Sequence, residues 1–441
     1  MTSSGTPTRD KDAFPLKVVA VLSLLFVALR LFWLFMVPME QAPDEFSHYW
    51  VAKFLFQNQH LPSPAEMTAG GPSAVYGSLP QLGYLPHLFF AAILKPICAL
   101  PLWLTERLGS LFSGLGMLLS AIYIGHKLFA DKSKLAALAV PLLIVFQPQL
   151  ILVHCYCNND STATCLSSII LALIARCLFN GPTYRLTLII GLLCGYLALT
   201  KYSAYAIFPA TLVGLLLAFR RASLSIKQIL LHLVILAGSA LALSGWWFVR
   251  TLSIYPGDLM GTKTMYANWA KTYGRDLNFH MTPWQVVKEH RWWRSILFSF
   301  WGLFGYMDKY MWRWVYWTYF GYATVGLILA LNLAFQTIKD KTRHLLDCPV
   351  AALWITMTVC LGANILAMIY ASTVNLGGGQ GRYLFPSEIP IMSIIVAGLT
   401  TLPPTWRKPL LLSLLVFNIC VAIGAMIYLF PLYGFNISRT Y

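Results

Sequence analysis

Two adjacent carboxylates, Asp44 and Glu45, follow the first long apolar run of the sequence, with His48 one helical turn further on. Acids beside low-dielectric lipid are costly to ionise unless partnered, and a carboxyl tuned this way suits a general base. The same pair also reads as ordinary solvated loop acids. Asn158-Asn159-Asp160 heads a later apolar run, where Asn and Asp serve as helix N-caps and the acid complements the helix dipole. Lys201 interrupts an apolar stretch; a boundary cation is either paired or snorkels its head to the interface. In the stretch 377–383, Gly-Gly-Gly-Gln-Gly-Arg-Tyr, the glycines let backbone N–H groups approach an anion, and Arg382 can grip a phosphate with two parallel bonds. Tyr383, Gln380, Arg250 and His87 complete the set of polar candidates.

The elements that must position these residues are membrane spans. The 441 residues are 58% hydrophobic and only 11% charged, with a mean hydropathy of +0.65. Soluble chains carry about 25% charged residues, so a soluble enzyme is excluded. Eleven apolar runs approach the roughly 20 residues that cross a bilayer core: Leu16–Pro38, Leu108–Gly125, Leu135–Val153, Thr162–Phe179, Leu186–Thr200, Tyr202–Phe219, Ile229–Val249, Trp314–Phe335, Val350–Tyr370, Leu384–Leu402 and Leu410–Phe430. Two more, Leu82–Pro101 and Trp292–Tyr306, are broken by prolines or short and Trp-rich, and read as interfacial helices. The expected class is an all-α polytopic membrane protein. A 1–15 arm precedes a 16–430 membrane domain whose long outer loops are 39–107 and 250–313. A short tail, 431–441, follows, with no C-terminal soluble domain.

Charge orients this arrangement. Lys and Arg number 32 against 16 Asp and Glu, and half of the basic residues fall in six short regions that an eleven-span topology puts in the cytoplasm. The polar motifs then share the opposite, outer face. A transporter would concentrate them at mid-membrane on broken helices of repeated halves, and no internal repeat is visible. Nucleic acid is excluded as a partner, because no basic soluble domain presents the charge. The outer segment from Arg250 to Arg313 holds nine basic residues against Asp258, Asp276, Glu289 and Asp308. The positive-inside rule does not predict that excess. It fits a surface for anionic headgroups or for a lipid phosphate. The nine cysteines show no zinc-site spacing.

In order, Pro43-Asp44-Glu45 with His48, Asn159-Asp160, Leu199-Thr200-Lys201-Tyr202, the segment 245–250 (Gly-Trp-Trp-Phe-Val-Arg), the segment 299–308 and Gln380-Gly381-Arg382-Tyr383-Leu384-Phe385-Pro386 resemble the polytopic GT-C glycosyltransferases. They are closest to a bacterial membrane-protein family placed in that superfamily. The resemblance covers about residues 16–400. It implies sugar transfer from a polyprenyl-phosphate donor to a hydroxyl of a glycan, lipid or protein acceptor, on the outer face of the bacterial inner membrane. It places an acid of the first outer loop as base or acceptor-positioning group, here Asp44 with Glu45 beside it. Asp160 would orient the acceptor. Arg382, Arg250 and Lys201, with His87, His48, Tyr383 and Gln380, would hold the lipid phosphate and the substrate. Attack opposite the phosphate would invert the anomeric centre. No cofactor is evident; a divalent metal shared by Asp44 and Asp160 stays open. The alternatives are a transporter or flippase of lipid-linked sugars, or a non-catalytic assembly subunit. Neutralising Lys263, Lys271 and Arg275 together is expected to raise the apparent KM for a lipid-phosphate donor; unchanged kinetics would leave that loop as a headgroup anchor.

Overall fold

The computed structural model describes residues 14–274, 276–341, 345–375 and 379–435. It is a bundle of α-helices, and among the described residues the strands are two two-residue segments, Leu303–Phe304 and Lys309–Tyr310, paired as an antiparallel hairpin. The chain is an integral multi-pass membrane protein. Among the described residues, nine helical segments are long and apolar enough to cross a bilayer: Leu16–Met36, Leu102–Phe129, Asn159–Asn180, Tyr202–Arg221, Ile226–Ile254, Arg313–Lys339, Pro349–Ser372, Gly381–Thr400 and Pro404–Tyr433. All eleven expected runs are found as helices, but two fall short of spanning length. Tyr184–Ala198 has 15 residues, about 22 Å at 1.5 Å per residue. The expected Leu135–Val153 run is two helices, Lys134–Phe146 and Pro148–Val153.

The break between those two helices has a physical cause. Pro148 lacks an amide hydrogen and suits the first position of a new helix, so the last carbonyls of Lys134–Phe146 lose their partners. Arg30, fully buried in the first helix, replaces them. Its guanidinium donates to Val145 O at 2.7 Å and Ile144 O at 3.1 Å and lies 3.5 Å over the Phe26 ring. The freed side chains at the break then hold the aromatic segment beyond residue 290. Gln147 Nε2 donates to Phe300 O, and Gln149 Oε1 accepts from Leu303 N.

The two ambiguous stretches do not reach spanning length. The first contains the ten-residue helix Leu85–Leu94. The second forms the twelve-residue helix His290–Trp301, followed by the hairpin. Arg30→Ala is expected to leave two buried carbonyls unpaired at a cost of about 1–3 kcal/mol each. Its detergent-solubilised form should therefore melt several degrees below wild type in a thermal-shift assay. An unchanged Tm would show that the helix break does not depend on Arg30.

Candidate functional site

Six of the sequence-predicted residues meet around one cavity of about 440 Å³: Asp44, Asp160, Lys201, His48, Arg382 and Tyr383. All but Asp160 line it directly, together with Tyr76, Asn159, Tyr266 and Asn364. Asp44 precedes the helix Glu45–Asn58 in a left-handed conformation, φ 61°. That conformation costs a non-glycine residue about 1–2 kcal/mol and sends the adjacent carboxylates in different directions. Asp44 faces the cavity, its side chain 31% exposed, and its Oδ2 accepts from Arg382 Nη2 at 2.6 Å. Burial by itself would push the Asp44 carboxyl up, but Arg382, aided by Lys201, overrides this and holds it below the usual carboxylate range.

Arg382 rides on the tight turn Gly381–Ser387, which is fixed on three sides. A Cβ at Gly381 would sit 2.2 Å from Phe300 N, so only glycine permits this approach. The Gly381 amide donates to Ser299 Oγ at 2.7 Å. Asn364 Nδ2 donates to Tyr383 O at 2.9 Å, and Ser387 Oγ donates to Asn364 Oδ1 at 3.0 Å. The guanidinium also donates to Tyr156 OH at 3.2 Å. The glycines nearest the arginine thus serve close packing: a Cβ at Gly379 would strike the Trp292 ring. Gly377 and Gly378 of the expected anion loop lie outside the described residues.

A second ion pair stands beside the first. Lys201 Nζ lies 2.7 Å from Asp160 Oδ1. Asn158 caps the helix that carries Asp160, accepting from Ser161 N at 2.8 Å. Capping and charge pairing, the two readings of Asn158-Asn159-Asp160, therefore divide between neighbouring residues. Both cations approach the Tyr383 ring, Lys201 at 5.3 Å and Arg382 at 5.4 Å. His48 Nδ1 is 2.6 Å from Tyr84 OH; burial first, then Lys201, pushes its imidazole down to about 3, so it is neutral at pH 7. The cavity wall thus carries two cation–carboxylate pairs with no excess charge, set among tyrosines.

Four predicted residues are placed elsewhere. Glu45 is fully buried and grips Arg107 with both oxygens, at 2.7 and 2.6 Å, while Oε1 also accepts from Cys157 N. Arg107 donates further to Leu34 O and Val37 O, so this pair fastens the end of the first helix. His87 is wedged between Glu106 O and Asn158 O. Arg250 donates to Pro62 O and lies over Trp247. Gln380 precedes the Arg382 turn without lining the cavity. Sequence reasoning passed over Arg107, Tyr156 and Asn364. Arg107 had a signal, the polar run Thr105-Glu106-Arg107 at the head of an apolar helix; the other two had none. The loop cations Lys263 and Lys271 are described and Arg275 is not. Asp44 and Asp160 are each engaged with a cation, and no group of three or more His, Cys, Asp or Glu among the described residues is arranged to hold a metal ion.

No protein-family model matches the chain, and no curated protein does. Among solved structures it is similar to ArnT from Cupriavidus metallidurans bound to undecaprenyl phosphate, with a TM-score of 0.53 and 13% identity, covering 90% of this chain and 62% of that one. Arabinosyltransferase EmbB from Mycobacterium smegmatis aligns with a TM-score of 0.45 and 12% identity, over 91% of this chain and 32% of that chain. The chain thus spans less than two thirds of the length of either. The first likeness shows the fold, which is GT-C-like.

The neutral state of His48 carries a pH signature. Its pKa is depressed in the folded protein, so its contribution is fully present above the unfolded value of about 6.5 and lost as pH falls toward 3. Wild type should therefore lose more Tm than His48→Gln between pH 7 and pH 4.5. Parallel curves would show that His48 is not held neutral.

Proposed function

We propose that this protein is a membrane glycosyltransferase that moves a sugar from a polyprenyl-phosphate donor to an acceptor hydroxyl at the extracytoplasmic face, with inversion. The observation that carries the reading is the pair of cation–carboxylate couples, Arg382–Asp44 and Lys201–Asp160, at one cavity within a GT-C-like bundle. The ArnT structure holds undecaprenyl phosphate, which supports a lipid phosphate as the partner here. The basic bias of the opposite loops supports an outward-facing cavity.

In this reading the acceptor oxygen attacks the anomeric carbon as its proton passes to an Asp44 oxygen. The bond from that carbon to the phosphate oxygen breaks, and the lipid phosphate leaves as an anion. A phosphate needs charge neutralisation more than protonation, and preorganised cations at the developing charge are usually the largest catalytic contribution. Arg382 and Lys201 supply them. Asp160 holds Lys201 in place, and the Tyr383 face between the two cations orients both. Asp44 paired with Arg382 is a weak base. A donor phosphate that draws Arg382 toward itself loosens the pair and raises the basicity of Asp44, so the base is activated when the donor arrives.

The test uses purified protein in nanodiscs with labelled decaprenyl-phosphate sugars and a panel of glycan, lipid and peptide acceptors. Wild type should form product, and Asp44→Asn should lose about 10²-fold or more in kcat while keeping its elution profile, with some loss of Tm because Arg382 loses its counter-charge. Arg382→Lys should mainly raise the donor KM, since lysine loses the two-pronged geometry. Full turnover by Asp44→Asn would remove Asp44 as the base. Movement of the lipid across a bilayer without any product would favour a flippase.

A further inference from the structure

Behind the Arg382 turn lies a second, larger groove of about 1110 Å³, which the glycosyl-transfer reading does not use. One wall is the helix His290–Trp301, the other the helix Arg313–Lys341, and Leu384 of the turn and Ile391 of the helix Glu388–Thr400 close its back. The helices Arg313–Lys341 and Glu388–Thr400 meet where glycine faces glycine: a Cβ at Gly398 would lie 1.9 Å from Gly326 O, and one at Gly326 2.8 Å from Ile395 Cα. Small residues let membrane helices approach this closely. On the site side of that crossing, Ala323 of one helix and Ile391 of the other border the groove.

The lining has a direction. Along the first helix, Arg313, Trp317, Phe320 and Ala323 border the groove in sequence, and Leu384 and Ile391 face them. Ten residues from Arg313 to Ala323 span about 15 Å, half a bilayer core. Trp317 and Phe320 are 62% and 45% exposed, so the mouth opens on the lipid-facing flank. Arg313 stands at the head of its helix, and Arg294, lying over the Phe298 ring, lines the same groove. The nearby acid Asp308 is paired to Lys309, and neither arginine has a carboxylate partner among the described residues. The groove is thus cationic at headgroup level and apolar below. It shares no lining residue with the cavity: Tyr383 lines the cavity and its neighbour Leu384 lines the groove.

We infer that this wedge binds an anionic glycerophospholipid of the surrounding bilayer, its phosphate between Arg294 and Arg313 and an acyl chain running past Trp317 and Phe320 toward Ala323. Basic pockets between membrane helices recognise anionic headgroups through charge, and arginine through paired hydrogen bonds to phosphate oxygens. The bound chain would brace the back of the turn that carries Arg382. The inference does not rest on glycosyl transfer, and its test reads binding alone.

Native mass spectrometry of the full chain, released from micelles doped with phosphatidylglycerol or phosphatidylcholine, measures it. Wild type should retain phosphatidylglycerol in preference to phosphatidylcholine. The R294Q/R313Q double variant should retain it about ten-fold or more less, and Ala323→Trp, which fills the wedge, should also lose it. Because a tryptophan there could disturb folding, the surface double variant decides. Arg382→Gln should leave retention unchanged, as should excess decaprenyl phosphate. Equal retention of the two phospholipids, or undiminished retention by R294Q/R313Q, overturns the inference. So does displacement by decaprenyl phosphate or loss in Arg382→Gln, either of which would assign the lipid to the reaction cavity.

Discussion

A charge inside a membrane bundle is tolerated only when a counter-charge or backbone carbonyls compensate it in contact, and this chain places its key pairs under that constraint. Two consecutive residues show it most directly. Asp44 turns to Arg382 and Glu45 turns to Arg107, each at 2.6 Å for its shortest contact. The left-handed backbone at Asp44 separates the two directions. One pair is sealed and ties the first helix to the Leu102–Phe129 helix; the other borders the cavity. The same loop thus anchors the fold and presents a carboxylate to the cavity, and its geometry is set from both sides.

The cavity rests in a neutral state as a consequence. Arg382 and Lys201 are both engaged by carboxylates, so in the proposed reaction an incoming phosphate would compete with Asp44 and Asp160 instead of meeting free cations. Under that proposal, binding energy from the phosphate would release a carboxylate where a proton must be accepted. Around it, the Gly381 contact with Phe300 and the Asn364 bridge to Tyr383 keep the arginine in register. The aromatic segment that supports this turn hangs in turn on the helix break at Gln147-Pro148. The fold serves the site through a short chain of packed and hydrogen-bonded contacts.

Much of this was legible from residue types. Apolar runs located every membrane helix, and the shared face of the polar motifs anticipated that Asp44, Asp160, Lys201 and Arg382 would meet. What escaped was pairing across long sequence separations. Glu45 reads like Asp44 until Arg107, 62 residues away, is seen to hold it. Arg30 and Arg107 sit inside apolar helices, where hydropathy averages them away. Pro148 was visible, yet the run from Leu135 to Val153 is apolar enough to read through it, because the compensating arginine lies on another helix. The glycines at 379 and 381 suggested an anion cradle, whereas both are small because tryptophan and phenylalanine groups press on them.

In the proposed reaction a lipid phosphate takes Arg382 from Asp44 and leaves that carboxylate a stronger base. Difference infrared titration of the protein with 13C-labelled aspartate, the Asp44→Asn spectrum subtracted, isolates this one carboxyl. Without lipid, Asp44 should titrate below the usual carboxylate range; with saturating decaprenyl phosphate its titration should move to higher pH. A titration curve that stays in place, or moves to lower pH, when the lipid phosphate is added would contradict the account.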